Sequence, residues 1–172
     1  FKDKININKQ DRNFGYTALM LAIHNNTDVE VIKYLCTIFK DTIDINIQEI
    51  EGYKTALTLA LEQNKDAEIT QYLCTTFKDK INIYTTLANA ARYNKNIEIT
   101  QSLCTAFKDT IDINKQDKFG YTVLMLAARY NTDVEITQYL CRTFIDTIDI
   151  NIKDKKYGYT ALMLAARNNT NV

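Results

Sequence analysis

One phrase returns along this chain at near-regular intervals. It reads GYTVLMLAA at 120–128, GYTALMLA at 15–22 and GYTALMLAA at 158–166. A weaker copy, GYKTALTLA, spans 52–60, and a worn one, YTTLANAA, spans 84–91. The leading leucines are Leu19, Leu57, Leu87, Leu124 and Leu162, so the steps are 38, 30, 37 and 38. A period in this range is the signature of stacked supersecondary units, each too small to bury its apolar face alone.

Within each unit the pattern is the same. In the fourth, the polar segment 114–120 ends in Gly120 and predicts a turn or hairpin tip. Thr122 is placed to cap a helix over 123–130, with Leu124, Ala127 and Ala128 on one face. Asn131 marks the end of that helix, matched by Asn26, Asn64, Asn94 and Asn169. Asp133 caps the next, matched by Asp28, Asp66 and Asn96. The second helix carries one apolar stripe: Ile136, Leu140, Cys141 and Phe144 here, Ile32, Leu35, Cys36 and Phe39 in the first unit, Ile69, Leu73, Cys74 and Phe77 in the second. An extended connector such as Ile43-Asp44-Ile45-Asn46 follows, too short to contribute to a broad sheet. Helices this short are unstable alone, since about 12–15 residues are needed even for marginal stability.

The third unit departs from the rest. Seven residues are missing relative to the fourth, and no polar segment or glycine separates Ile83 from Tyr84. Its finger is expected to be absent or much shortened. Asn89 stands where the other units carry leucine, which predicts the weakest member of the stack.

These residues resemble the ankyrin repeat. Asp117 to Ala128 is similar to the family's Asp-x-x-Gly-x-Thr-Pro-Leu-His-x-Ala-Ala, and Glu30 to Cys36 to its second-helix pattern. The resemblance implies an all-α, ankyrin-like helical repeat solenoid with short hairpin fingers. It implies a non-catalytic scaffold that binds a partner protein through its concave face and fingertips. The family's proline and histidine are missing throughout: Ala18, Ala56, Thr86, Val123 and Ala161 replace the first, and Met20, Thr58, Ala88, Met125 and Met163 the second. The repeats are also long, at 37 or 38 residues against a norm of about 33. The excess lies near 39–42 and predicts a longer second helix closed by Phe39, Phe77, Phe107 and Phe144. The expected boundaries within a single array over 1–172 are a tail of a preceding repeat at 1–9, then repeats at 10–46, 47–83, 84–114 and 115–151, and half a repeat at 152–172. Residues 1–7 echo 77–83, so the chain reads as a piece of a longer array.

The chemistry-bearing residues argue against catalysis. The four cysteines recur once per unit and not in close pairs, so they read as small buried hydrophobes of a reducing, cytoplasmic compartment, or of a host cytosol into which the protein is delivered. His24, the one histidine, has no partner at a catalytic or ligand spacing. The aspartates read as caps and turns. Lys plus Arg and Asp plus Glu are both 21, which argues against nucleic acid and anionic membranes as partners. No cofactor, metal or small-molecule substrate is expected. Recognition is assigned to positions that vary while the framework repeats. At the end of the first helix these are His24, Glu62, Arg92 with Tyr93, Arg129 with Tyr130, and Arg167. At the fingertips they are Phe14, Lys118, Phe119 and Tyr157. The alternative reading is a targeting module for an enzyme or host-directed effector whose active domain lies elsewhere.

Overall fold

The computed structural model describes residues 4–25, 28–63, 67–93, 97–130 and 134–168, without the side chains of Gln63 and Ala67. Among these residues the regular structure is helical, with no strand. The helices are α1 (Ala18–His24), α2 (Val29–Phe39), α3 (Ala56–Gln63), α4 (Ala67–Thr76), α5 (Ile83–Tyr93), α6 (Ile97–Phe107), α7 (Val123–Tyr130), α8 (Val134–Thr143) and α9 (Ala161–Asn168). The chain divides into two compact units, Phe1–Asn82 and Ile83–Val172. The division falls where the third finger is missing. In the first unit α1 packs on α3 and α2 on α4; in the second, α5, α7 and α9 pack in that order and α6 packs on α8.

The helix starts follow from threonine. The Oγ1 atoms of Thr17, Thr122 and Thr160 accept the N–H of Met20, Met125 and Met163 at 3.2–3.4 Å. Asp28 caps α2 by accepting the Glu30 N–H at 2.9 Å. The matching caps at Asp66, Asn96 and Asp133, and the five turn asparagines, lie outside the described residues.

The third unit shows what a finger normally does. With no glycine to break it, α5 begins at Ile83, directly after the connector, and runs 11 residues where α1, α3, α7 and α9 have 7 or 8. Thr85, the counterpart of the capping threonines, lies inside that helix. Asn89 keeps a buried Nδ2 with no hydrogen-bond partner, and so does the Thr100 hydroxyl on α6.

The extra residues after the second helix do not extend the α-helix; they form a tight turn, which after α6 is a 3-10 helix over Lys108–Thr110. Phe39 ends α2, and its carbonyl accepts the N–H groups of Thr42 and Ile43 and the Thr42 hydroxyl. The same tight turn closes on Phe77, Phe107 and Phe144. The four phenyl groups are buried as expected.

The stripes on the second helices differ from the expected ones. In α2, Ile32, Cys36 and Phe39 are buried while Leu35 is only half-buried. Cys74 and Cys141 are half-buried, whereas Cys36 and Cys104 are fully buried. All four thiols are free, and desolvation pushes Cys36 and Cys104 up to about 12 and Cys74 to about 11.

Polar staples join successive repeats. The Asn8 amide donates to the Thr42 carbonyl and accepts the Asp44 N–H, and Asn46 and Asn114 repeat that arrangement on Lys80 with Asn82 and on Thr147 with Asp149. Each satisfies backbone groups that water would otherwise have to solvate.

Candidate binding face

Each finger is built round one acid. The Asp154 carboxylate, 4% exposed, accepts N–H groups from Lys156, Tyr157 and Tyr159 at 2.7–2.9 Å. Asp11 and Asp117 do the same in their fingers, and Glu49 takes the role in the second. Burial works against ionisation of Asp154, but the N–H groups of Tyr157, Tyr159 and Lys156, then Arg129, together hold its pKa below the ordinary carboxylate value. A depressed folded value means that its contribution to stability is present above the unfolded pKa and is lost as pH falls through the folded one.

One backbone bond closes each finger: Asp11 N–H to Tyr16 O, Glu49 to Lys54, Asp117 to Tyr121, Asp154 to Tyr159. Neighbouring fingers within a unit are laced together. Ile50 N–H donates to Phe14 O and Lys155 N–H to Phe119 O, while Gln10 and Gln116 reach the Gln48 and Lys153 carbonyls. What the fingers leave outside is apolar: Phe14 is 60% exposed, Ile50 65%, Phe119 57% and Tyr157 54%.

The closing bonds also fix the register of the second finger. Lys54, not Tyr53, occupies the position of Tyr16, Tyr121 and Tyr159. That register exposes a pairing that sequence reading missed. A helical side chain leans back toward its own N-terminus, and four of the five first-helix end residues meet the residue eight before them. His24 sits edge-on to Tyr16, with centroids 5.3 Å apart. Glu62 forms a 2.9 Å salt bridge to Lys54. Arg129 donates to the Tyr121 hydroxyl, and Arg167 to that of Tyr159 at 3.5 Å. The positions vary as pairs, so some of the variation belongs to the framework.

Arg92 is different, because its unit has no finger. Tyr84, eight residues back, donates its hydroxyl to the Tyr121 carbonyl instead, and burial pushes its pKa to about 12. The Arg92 guanidinium lies 4.7 Å from the Tyr93 ring centroid and 4.0 Å from that of Tyr130. Arg129 lies 5.1 Å from Tyr121 and 5.0 Å from Tyr130. Such contacts contribute about 0.5–1 kcal/mol each at exposed sites. The Arg92 Nε is buried without a hydrogen-bond partner, while Tyr93 and Tyr130 remain 45% and 40% exposed.

The sequence candidates thus divide between the units. Phe14, His24 and Glu62 lie in the first. Arg92, Tyr93, Lys118, Phe119, Arg129, Tyr130, Tyr157 and Arg167 lie in the second. There Tyr121, Tyr130 and Tyr157–Tyr159 stacking at 5.5 Å connect most of them. Lys118 lies 5.0 Å from the Phe119 ring. Among the described residues no group of three or more His, Cys, Asp or Glu could hold a metal ion, and no helix is long and apolar enough to cross a membrane.

The family model for ankyrin repeats (3 copies) matches residues 2–86 and again 87–172. The chain belongs to the ankyrin-repeat family. A chain from the complex of the Bd0816 predatory endopeptidase from Bdellovibrio bacteriovorus with immunity protein Bd3460 is similar, with TM-score 0.58 and 27% identity over 97% of this chain and 81% of that one. Solved chains that match number 319, so the likeness identifies an architecture in wide use. No curated protein matches. The departures from the usual repeat, no proline and methionine or a small residue for histidine, therefore leave the fold intact. Met125 is 1% exposed and Val123 1%, so both act as core.

Proposed function

We propose that this chain is a protein-binding module whose first-helix ends and fingertips carry the recognition. The observation that carries the reading is the large apolar side chain exposed at each fingertip, next to a core whose equivalent residues repeat. A finger needs its acid and its glycine, but nothing in its folding calls for phenylalanine, isoleucine or tyrosine pointing outward. Aromatic and arginine side chains of this kind dominate binding hot spots. The likeness to a chain from a complex of two proteins fits the same reading. No covalent chemistry is assigned to the module.

The test is calorimetric titration with an identified partner against Phe119→Ala, Tyr130→Ala and Arg92→Ala, each first checked for native melting. At least one is expected to weaken binding about thirtyfold, the effect of a hot spot worth roughly 2 kcal/mol. Unchanged affinity in all three would remove the recognition role from this face.

A further inference from the structure

The zero net charge of the chain conceals a segregation within the unit Ile83–Val172. Its fingers and first helices, residues 83–93, 115–130 and 153–168, carry eight lysines and arginines against two carboxylates. Its second helices and connectors, 97–114 and 134–152, carry two against six. The corresponding segments of the first unit, 9–24 and 47–63, are nearly balanced, with three against four.

The two carboxylates on the basic side are Asp117 and Asp154, and both are turned onto backbone N–H groups inside their fingers. Neither forms a salt bridge among the described residues, although the charge of Arg129 acts on Asp154 from beyond contact distance. Among the described residues, Arg92, Arg129 and Arg167 at the helix ends form no salt bridge, and nor do Lys115, Lys118 and Lys156 on the fingers. In the first unit the equivalent place is filled by the Lys54–Glu62 pair at 2.9 Å. The cations are continuous through aromatic rings: Lys115 lies 5.6 Å from Tyr84, which bonds to Tyr121, which holds Arg129, which shares Tyr130 with Arg92. Lys156 over Tyr157 extends the surface to the last finger.

We propose that this side of the unit binds an acidic segment of a partner protein, in which Asp or Glu side chains alternate with apolar ones. The proposal rests on the protein-binding reading and adds the partner's chemistry to it. Guanidinium groups left without carboxylates favour a carboxylate-bearing ligand that makes charge-assisted, bidentate hydrogen bonds. The exposed Phe119, Tyr130 and Tyr157 supply apolar contact between those charges. Nucleic acid is the less favoured occupant. The Tyr130 ring is already stacked by two guanidinium groups, which leaves little free aromatic face for a base.

The test is fluorescence anisotropy with a labelled peptide of alternating Glu and Leu, the same peptide with Gln for Glu, and oligo-dT. The Glu peptide is expected to bind, with affinity that falls steeply as salt rises, and the Gln peptide to bind at least tenfold more weakly. Lys118→Glu and Lys156→Glu, at exposed positions that leave the fold unaffected, are each expected to lower affinity about tenfold. Lys108→Glu, on the opposite side, is expected to leave it unchanged. Equal binding of the Glu and Gln peptides, no binding of either, or insensitivity to Lys118→Glu and Lys156→Glu overturns the proposal. Tighter binding of oligo-dT than of the Glu peptide overturns it in favour of nucleic acid. The protein-binding reading fails separately: it falls if an identified partner ignores Phe119, Tyr130 and Arg92, whatever that partner's charge.

Discussion

Gly120→Ala is expected to cost about 3 kcal/mol, and the same change at Gly158 only about 1 kcal/mol. Both glycines adopt positive φ, +87° and +70°, which an L-residue adopts at a cost of about 1–2 kcal/mol. Their surroundings differ. A Cβ on Gly120 would stand 2.6 Å from the Lys155 backbone nitrogen and 3.2 Å from the Asp154 carbonyl carbon, neither of which can swing aside. Nothing lies within 4 Å of the same atom on Gly158. The Lys155 N–H donates to Phe119 O, so the intruding methyl would push the neighbouring fingers apart at their lacing point. Overpacking of this kind adds about 1–3 kcal/mol to the conformational strain. Gly15 stands in the same relation to Ile50, with its nitrogen at 2.9 Å, and is expected to behave like Gly120. Urea melts of the two variants measure the difference. Equal losses would mean that the fingers are not in register.

Asn89→Leu is expected to stabilise the chain by about 2 kcal/mol. The Asn89 Nδ2 is buried with no partner, a state that costs about 1–3 kcal/mol. Of the four leucines at this register in the other repeats, Leu59, Leu126 and Leu164 are 1%, 6% and 2% exposed and Leu21 is half-buried, so the site accepts that shape. Thr100 presents a similar defect on α6. The readout is the melting temperature, which rises by about 2–4 °C per kcal/mol in a chain of this size. A lower melting temperature for Asn89→Leu would show that the amide has a structural duty the third repeat needs.

The framework was legible because the repeat states each structural instruction several times. Threonine caps, the phenylalanines that end the second helices and the absence of the third finger all followed from comparing copies of one phrase. Three features were not legible. Lys54 was hidden because the second finger carries its glycine one place earlier relative to its helix, so the shared Gly-Tyr pair sets Tyr53 against Tyr16. The pairing of four helix-end residues with those eight before them needs the side chain's backward lean, which sequence spacing alone does not report. The stripe of α2 runs through Ile32, Cys36 and Phe39 as expected, but Leu35 is half-buried although its aligned counterpart Leu140 is 0% exposed.

The candidate site was partly legible for the same reason. Variation marked positions that lie at the first-helix ends and fingertips, but at His24, Glu62, Arg129 and Arg167 it also served the internal pairs. Charge segregation in Ile83–Val172 was invisible to a net charge of zero.

The claim on which the account turns is that the first-helix ends and fingers face the partner while the second helices do not. Site-specific photo-crosslinking tests it directly, with the photoreactive residue placed at Phe119 or Tyr130 in one set and at Thr105 or Arg142 in the other, all in the presence of an identified partner. The account predicts crosslinks from the first set and none from the second. Crosslinks of equal yield from Thr105 or Arg142, or silence at both Phe119 and Tyr130, would contradict it.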